Sequence, residues 1–140
     1  MNYWLFKSEP SNWSWKNQLD AGKKGDTWDG VRNFQASNNM KKMKLGDLGF
    51  FYHSVTEKKI VGIVEVIKEY HLDPTDETSK FGMVLVRAFK TLPSAVTLSE
   101  IKNNNKLAKF QMIKQSRLSV VPVKKNEWEE ICKMANLKNF

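Results

Sequence analysis

Two segments in the middle of the chain decide the fold: LGDLGFFYHS at residues 45–54 and KKIVGIVEVIKEYH at residues 58–71. The first supplies a glycine-rich reversal that leads into the β-forming residues of FFYHS. The second alternates apolar and polar residues through Ile63, Glu65 and Ile67, which is typical of a strand with one face in the core. The middle of the chain is therefore predicted to be dominated by β-strands.

Further strands and several helices flank these two segments. Runs of apolar residues predict strands at YWLFKSE (3–9), FGMVLVRAFKTL (81–92) and RLSVVPV (117–123). Capping residues and helical periodicity predict helices at SNWSWKNQLDAG (11–22), NFQASNNMKKM (33–43), TLSEIKNN (97–104), KLAKFQMIKQ (106–115) and NEWEEICKMANL (126–137). The turn-rich GKKGDTWDG (22–30) is predicted to be a loop. Because strands and helices do not alternate regularly, the fold class is predicted to be α+β, with a mostly antiparallel curved sheet or small barrel flanked by helices.

The helix boundaries come from capping residues. We expect Ser11 or Asn12 to begin the first helix and Gly22 to end it. Asn33 is expected near the N-terminus of the second helix, and Thr97 or Ser99 is expected to cap the third.

Length and composition limit the class of protein. The 140 residues fit one domain, predicted over residues 1–140, and the single cysteine, Cys132, rules out an intrachain disulfide. Cys132 is predicted to be a small buried hydrophobic residue. The start of the chain resembles neither a signal peptide nor a membrane span, so a cytoplasmic location is expected. The abundance of lysine and asparagine suggests a bacterial source.

A net charge of +8 favours polyanionic partners. Many of the 23 cationic residues could simply be solvated surface lysines, because only Arg32, Arg87 and Arg117 are arginines. Two of these arginines lie within unusual motifs, which is more informative than the total charge.

The sequence gives little indication of catalysis. His53 and Ser54 are adjacent on a predicted strand, so their side chains should point to opposite faces and not form a catalytic pair. Phosphate-loop, nucleophile-elbow and zinc-binding motifs are absent from the sequence. No cofactor and no metal site are predicted.

Four short stretches combine aromatic residues with Arg, Ser, Asn and Glu. They are KSEP (7–10), WDGVRN (28–33), FFYHS (50–54) and SRLSV (116–120). Each has a structural interpretation as well as a binding one. Trp28 could stack on a base or pack in the core, and Arg32 could bind phosphate or pair with Asp29. One face of FFYHS is expected to be core and the other to present polar groups.

Taken together, YWLFKSEP, WDGVRNFQASN, GDLGFFYHS, IVGIVEV and SRLSVVPV resemble the EVE domain family in order and spacing. The resemblance extends from Tyr3 to about Met134. It implies a PUA-like fold, a small, mostly antiparallel β-barrel related to the YTH and ASCH domains. It also implies a nucleic-acid partner, DNA or RNA, with a modified base such as a methylated cytosine held in a pocket.

The resemblance also assigns residues to that pocket. Aromatic rings would sandwich the base, polar side chains would read its edge, and arginines would hold phosphates. The residues carried over are Lys7, Ser8, Glu9, Trp13, Trp28, Arg32, Asn33, Tyr52, His53, Ser54, Arg117 and Ser119. Lysines 41, 42, 44 and 114 could extend the path for the phosphates. The base would have to be flipped or single-stranded, because a stacked base cannot enter a pocket.

Two other classes of function remain possible from the sequence. An RNA- or nucleotide-processing enzyme resembling the ASCH relatives would need an acid/base cluster, for which Lys7, Glu9 and His53 are the candidates. A protein that binds a small molecule or free nucleoside would show no dependence of affinity on salt. No membrane partner is predicted, and a monomer is expected. The loop HLDPTDETSKFG (71–82) is shorter than in many family members, so extended duplex contacts are not expected.

Overall fold

The computed structural model describes residues 1–138 and is of mixed α+β class, as predicted. Its strands are β1 (Tyr3–Ser8), β2 (Asp26–Trp28), β3 (Leu48–His53), β4 (Lys59–Leu72), β5 (Gly82–Thr97) and β6 (Val120–Val123). Its α-helices are α1 (Trp15–Asp20), α2 (Phe34–Lys41), α3 (Leu98–Lys102), α4 (Gln111–Lys114) and α5 (Lys125–Met134). Short 3-10 helices occupy Gly22–Lys24 and Asn105–Leu107.

The strands form one sheet in the order β2-β5-β4-β3-β1-β6. Within residues 1–138 every strand pairing is antiparallel except that of β1 with β3, so the mostly antiparallel sheet is confirmed. The predicted closed barrel is wrong, because the edge strands β2 and β6 do not pair with each other. Register shifts along the β4–β5 pairing bend the sheet, as bulges do, but leave it open.

Both faces of the central strand β3 are buried. On one face the ring of Phe50 stacks on Trp128 of α5, with ring centroids 4.0 Å apart. On the other face Phe51 makes edge contacts with Trp15 at 5.1 Å and Trp28 at 5.6 Å. All residues of β3, 48–53, are therefore buried. That one face of FFYHS presents polar groups to a ligand stays a prediction.

The segment predicted as a loop before WDGVRN contains a strand. Residues Asp26–Trp28 pair with β5 in antiparallel register, so Trp28 lies opposite Val84. Gly25 makes this approach possible, since its φ is +64° and a Cβ atom there would lie 2.1 Å from the carbonyl oxygen of Val86. Three residues carry too little pattern to predict a strand, and the pairing with β5 decides the outcome.

The predicted helix starts are confirmed in part. Asn33 caps α2 by accepting the Ala36 N–H, and Thr97 forms a capping box with Glu100 at the start of α3. The first helix begins later than predicted, with Ser14 as its N-cap. The reason is a turn after β1, in which the N–H groups of Asn12 and Trp13 both donate to the carbonyl of Glu9.

Cys132 is buried in α5, as predicted. None of the helices in residues 1–138 is long and apolar enough to cross a membrane.

Candidate nucleic-acid interface

Three clefts adjoin one another around the carboxyl end of β1. In the sheet, Lys7 lies opposite Tyr52 and Ser8 lies opposite His53. The Lys7 N–H donates to the carbonyl of Ser119 at 2.9 Å, and the Ser54 N–H donates to that of Ser8 at 2.9 Å. These backbone bonds bring three of the four motifs singled out in the sequence to one end of the sheet.

The first cleft, here called the tryptophan cleft, has a volume of about 480 Å³. It lies between the turn after β1 and the strand β2. Its lining residues are Lys7, Ser8, Glu9, Asn12, Trp13, Asp26, Thr27, Trp28 and Asp29. The volume falls within the range of ordinary small-ligand sites, about 300–1,000 Å³.

The two indole walls of this cleft are fixed in place. Trp13 donates its Nε1–H to Oε1 of Gln18 at 2.9 Å, and its carbonyl accepts a hydrogen bond from the hydroxyl of Ser8. Trp28 is 9% exposed and packs against the ring of Phe6 at 5.0 Å. Trp28 is thus both a core residue and a wall of the cleft, which combines the two alternatives that the sequence left open.

Charged groups of both signs face the tryptophan cleft. Glu9 is exposed and accepts hydrogen bonds from the hydroxyl of Ser11 at 3.0 Å and from Nδ2 of Asn12 at 3.5 Å, one on each carboxylate oxygen, which leaves further lone pairs free. Asp29, also exposed, makes no hydrogen bond or ion pair through its side chain within residues 1–138. Lys7 donates to the carbonyl of Ser116 at 2.8 Å, and burial lowers the pKa of this lysine. The cleft therefore offers acceptors on one side and ammonium donors on the other.

The second cleft, here called the lysine cleft, has a volume of about 310 Å³. Lys7 also lines this cleft, so the two clefts share one side chain. Its lining residues are Lys7, Tyr52, Ser54, Val55, Lys58, Leu98, Lys102, Met112, Ile113 and Ser116. No carboxylate is among them, in contrast to the tryptophan cleft.

The third cleft, here called the arginine cleft, has a volume of about 330 Å³. It shares Ser116 with the lysine cleft. Its lining residues are Asn33, Gln35, Lys114, Gln115, Ser116, Arg117 and Leu118. The side chain of Arg117 is exposed and has no hydrogen-bond or ion-pair partner within residues 1–138, so its guanidinium is free to bind an anion.

Arg32 is committed to an internal network and lines none of the three clefts. Its Nη1 lies 3.1 Å from Oδ2 of Asp73, and its Nη2 donates to the Thr75 hydroxyl at 2.9 Å. Asp73 also accepts the Gly30 N–H at 2.9 Å, so this aspartate holds the WDGVRN segment at two points. Asp29, the partner considered from the sequence, is not the one observed.

The environment of Asp73 stabilises its charged form. Burial by itself would raise the pKa of this carboxyl. Hydrogen bonds from the Thr75 hydroxyl, from the N–H groups of Gly30 and Thr75, and from Arg32 outweigh that effect and bring the pKa to about 2.

His53 is buried, and both of its ring nitrogens are occupied. The Trp15 N–H donates to Nε2 at 2.9 Å, which assigns the ring proton to Nδ1. Nδ1 lies 2.9 Å from Oε1 of Glu57, and this hydrogen bond lowers the pKa of Glu57. His53 lines none of the three clefts, so the acid/base cluster of Lys7, Glu9 and His53 considered from the sequence is not assembled.

The predicted site residues are thus distributed around one end of the sheet. Lys7, Ser8, Glu9, Trp13 and Trp28 line the tryptophan cleft. Tyr52 and Ser54 line the lysine cleft, and Asn33 and Arg117 line the arginine cleft. Ser119 is partly buried and contributes its backbone carbonyl to Lys7. Arg32 and His53 lie outside the three clefts. The binding roles of all twelve site residues named from the sequence remain predictions.

Several residues of these clefts were not found from the sequence. Asn12, Asp26 and Asp29 in the tryptophan cleft adjoin predicted residues, and that proximity was the one available signal. Lys58 and Lys102 give no such signal, because they come from a turn and a helix far apart in the sequence. Within residues 1–138 no cluster of His, Cys, Asp and Glu side chains is arranged to hold a metal ion.

Comparison with known proteins places this geometry in context. Residues 2–134 match the model of the EVE domain. Thymocyte nuclear protein 1 of Rattus norvegicus is 33% identical over 162 aligned positions, which cover 93% of this chain and 72% of the rat protein. Because 162 positions exceed the 140 residues of this chain, the rat protein carries residues inserted relative to it.

Two solved structures are similar over the whole chain. A crystal structure of a protein from Agrobacterium tumefaciens is 48% identical, covers 100% of this chain and 97% of its own, and has a TM-score of 0.96. The crystal structure of human THYN1 in complex with 5-methylcytosine-containing DNA is 27% identical, covers 99% of both chains, and has a TM-score of 0.89.

Proposed function

The chain belongs to the EVE domain family, and from this premise we propose that it is a DNA-binding module that recognises a modified cytosine. The modified base would enter the tryptophan cleft, and the backbone of the strand would lie along the arginine cleft. The function proposed is binding without catalysis.

One observation carries the proposal. The similar structure of human THYN1 contains DNA with 5-methylcytosine, and its likeness to this chain covers 99% of both molecules. A likeness of that extent includes the end of the sheet at which the three clefts meet. Conserved shape and the chemistry of the clefts therefore support the same class of ligand for this chain.

The tryptophan cleft suits the chemistry of a cytosine. Stacking of a base on an aromatic side chain contributes about 1–3 kcal/mol, and Trp13 and Trp28 supply indoles for it. The 4-amino group of cytosine is a donor that carboxylates accept, and Glu9 is available for it. Lys7 uses one of its three donors on Ser116, so the others can reach the acceptors of the base.

The preference for a methylated base has a calculable size. A methyl group moved from water into an apolar contact gains about 0.8 kcal/mol, which is about fourfold in affinity. We therefore expect 5-methylcytosine to bind about fourfold more tightly than cytosine in the same strand.

The arginine cleft would hold phosphates. Arg117 and Lys114 present positive charge there, and no carboxylate lines the cleft. Each phosphate contact makes affinity fall with salt, with a slope of about −0.7 per phosphate for a single strand. A flipped or single-stranded base is required for entry, so a mispaired or single-stranded site should bind more tightly than a fully paired one.

Fluorescence polarisation with labelled oligonucleotides tests the proposal. The oligonucleotides would carry one central cytosine or 5-methylcytosine, in single-stranded, mispaired and fully paired form, as DNA and as RNA, at two salt concentrations. We expect about fourfold preference for the methylated base at both salt concentrations. Equal affinity for methylated and unmethylated strands would contradict the proposal, and a preference confined to RNA would replace DNA with RNA as the partner.

A pair of variants separates backbone contacts from charge in general. Arg117→Gln removes the free guanidinium of the arginine cleft, whereas Lys133→Gln removes one exposed charge from α5. We expect Arg117→Gln to weaken binding of both strands equally and to reduce the salt slope, while Lys133→Gln changes neither. A loss of methyl preference in Arg117→Gln would argue against its assignment to the backbone.

A further inference from the structure

The lysine cleft has the composition of an anion site. Lys7, Lys58 and Lys102 line it, and the side chains of the last two are exposed without a hydrogen-bond or ion-pair partner in residues 1–138. No carboxylate of the described residues lines the lysine cleft itself. Glu57 lines an adjoining cleft that shares Lys58 and Lys102, and it pairs with His53 and Lys59. Such a site attracts a phosphate or another compact anion.

The hydroxyl of Tyr52 is open to this cleft. Tyr52 is 4% exposed and lines the cleft, and its hydroxyl makes no hydrogen bond to any residue in the described part of the chain. The oxygen is not enclosed, because the one fully buried side-chain polar atom without a partner in residues 1–138 is Nε1 of Trp128. A ligand in the cleft can therefore replace water at this hydroxyl. Burial raises the pKa of Tyr52, so the hydroxyl keeps its proton at neutral pH and can donate it to an anionic oxygen.

The other wall of the lysine cleft is apolar. Leu98 begins α3, and Met112 and Ile113 belong to α4. Apolar groups together with three lysines in one cleft suit a ligand with a charged end and a flat or aliphatic remainder. A nucleotide has this form, whereas inorganic phosphate would leave the apolar wall unused.

The rim of the lysine cleft contains a strained turn. The Thr56 N–H donates to the carbonyl of Ser54 at 3.0 Å across Val55, whose φ is +70°. This is the pattern of a γ-turn with positive φ, a rare form, and a β-branched residue there is unfavourable. Lys58 also has a positive φ, of +51°. Such strain is often found at ligand-binding segments.

We propose that the lysine cleft binds a second nucleotide unit, with its phosphate at Lys58, Lys102 and the Tyr52 hydroxyl and its apolar part against α4. This inference rests on the proposed function, since the unit would be the neighbour of the flipped nucleotide in the same strand. Lys7, which lines both clefts, would lie between the two nucleotides. A free nucleotide presents the same chemistry, and the experiment distinguishes the two sources.

The test compares ligands that fill one cleft or both. The nucleoside 5-methyldeoxycytidine can occupy the tryptophan cleft alone, whereas a short single strand with a central 5-methylcytosine can occupy both. The decisive variant is Tyr52→Phe, which removes one hydroxyl and keeps the ring. Its matched control is Tyr3→Phe, on the neighbouring strand, where the ring stacks on Trp128 and the hydroxyl lines none of the three clefts.

We expect Tyr52→Phe to weaken binding of the strand about tenfold, the effect of losing a hydrogen bond to a charged group. Binding of the nucleoside should be unchanged, and Tyr3→Phe should leave both affinities as they are. The double variant Lys58→Gln/Lys102→Gln should lower the salt slope of the strand by about 0.7, the value of one phosphate. The control Lys125→Gln/Lys133→Gln removes two exposed charges from α5 and should not lower it.

Three outcomes decide the inference. An equal loss of nucleoside and strand binding in Tyr52→Phe, or no loss of either, would overturn it. The third outcome concerns free deoxycytidine monophosphate. If it binds tightly, and if Tyr52→Phe weakens this binding while Glu9→Gln does not, the lysine cleft is supported as an anion site. Its assignment to the neighbouring nucleotide of the strand would then be overturned. Binding at the lysine cleft does not depend on methylation. The proposal for this cleft can therefore be confirmed even if the tryptophan cleft shows no preference for the modified base.

Discussion

The substitution Asp73→Asn is expected to destabilise the protein by removing the charge that anchors the WDGVRN segment. The carboxylate accepts hydrogen bonds from Gly30 N–H at 2.9 Å, Arg32 Nη1 at 3.1 Å, Thr75 N–H at 2.8 Å and the Thr75 hydroxyl at 2.6 Å. Asparagine preserves the shape and one oxygen but turns an NH₂ group toward other donors. The segment that carries Trp28 and Asp29 would then lose its fixed position.

The size of the effect follows from the pKa of Asp73. A fall from the ordinary value of 3.8 to about 2 corresponds to about 2.4 kcal/mol of folding stability at pH 7. Because the folded-state pKa is the lower one, this stability is present above pH 3.8 and is lost as the pH falls through about 2. About 1.3 kcal/mol of it remains at pH 3 by the same relation.

Urea unfolding followed by tryptophan fluorescence at pH 7, 5 and 3 measures the effect. Asparagine does not titrate, so the difference in stability between the wild type and Asp73→Asn should be about 2–3 kcal/mol at pH 7 and should shrink by about 1 kcal/mol at pH 3. Asp20→Asn is the control, since it removes an exposed i,i+4 pair with Lys16 and should cost less than about 0.5 kcal/mol. A difference below about 1 kcal/mol at pH 7, or one that does not change with pH, would show that the Asp73 carboxylate does not stabilise the fold in this way.

Three further substitutions or reactions check separate parts of the structure. Val55→Gly should raise the free energy of unfolding by about 0.5–1 kcal/mol in urea titrations, because relief of the left-handed backbone outweighs the entropy of glycine; a loss of stability would argue against strain in this turn. Gly62→Ala should lower the free energy of unfolding by about 1–3 kcal/mol, because the added Cβ would lie 2.3 Å from the ring of Trp15. Unchanged stability would contradict that contact. Burial, together with the nearby charge of Glu129, raises the pKa of Cys132 to about 12, so its thiol should react with a disulfide reagent at pH 8 only after unfolding; rapid reaction of the native protein would show that the cysteine is accessible.

Local patterns predicted the larger elements because they repeat over many residues. The alternation in residues 58–71 identified β4, and the caps Asn33 and Thr97 identified the starts of α2 and α3. The strand β2 was missed because its three residues are ordered by pairing with β5 and by Gly25, which are not visible locally. The open sheet was missed because closure depends on whether two edge strands meet, which no segment encodes alone.

The candidate site was predictable in composition but not in arrangement. The KSEP and WDGVRN motifs indicated the walls of the tryptophan cleft, because their residue types are unusual together. Their partners were not predictable: Asp73 lies 41 residues from Arg32 and binds it through the fold. Topology also separates Tyr52 from Trp28. Phe51 and Tyr52 are neighbours on β3 and face opposite sides of the sheet. Phe51 packs against Trp28, whereas Tyr52 lines the lysine cleft.

Base discrimination by Glu9→Gln is the sharpest test of whether the tryptophan cleft reads the base. Thymine and 5-methylcytosine share the methyl group and differ at position 4, where cytosine has an amino donor and thymine a carbonyl acceptor. A carboxylate accepts only from the former, whereas the amide of glutamine can accept or donate.

The measurement is competition by strands that differ in this one base, with Glu77→Gln, an exposed glutamate in the 73–81 loop, as the control. We expect the wild type and Glu77→Gln to prefer 5-methylcytosine over thymine about tenfold and Glu9→Gln to bind both about equally. An undiminished preference in Glu9→Gln would contradict the assignment of the tryptophan cleft as the site that reads the base.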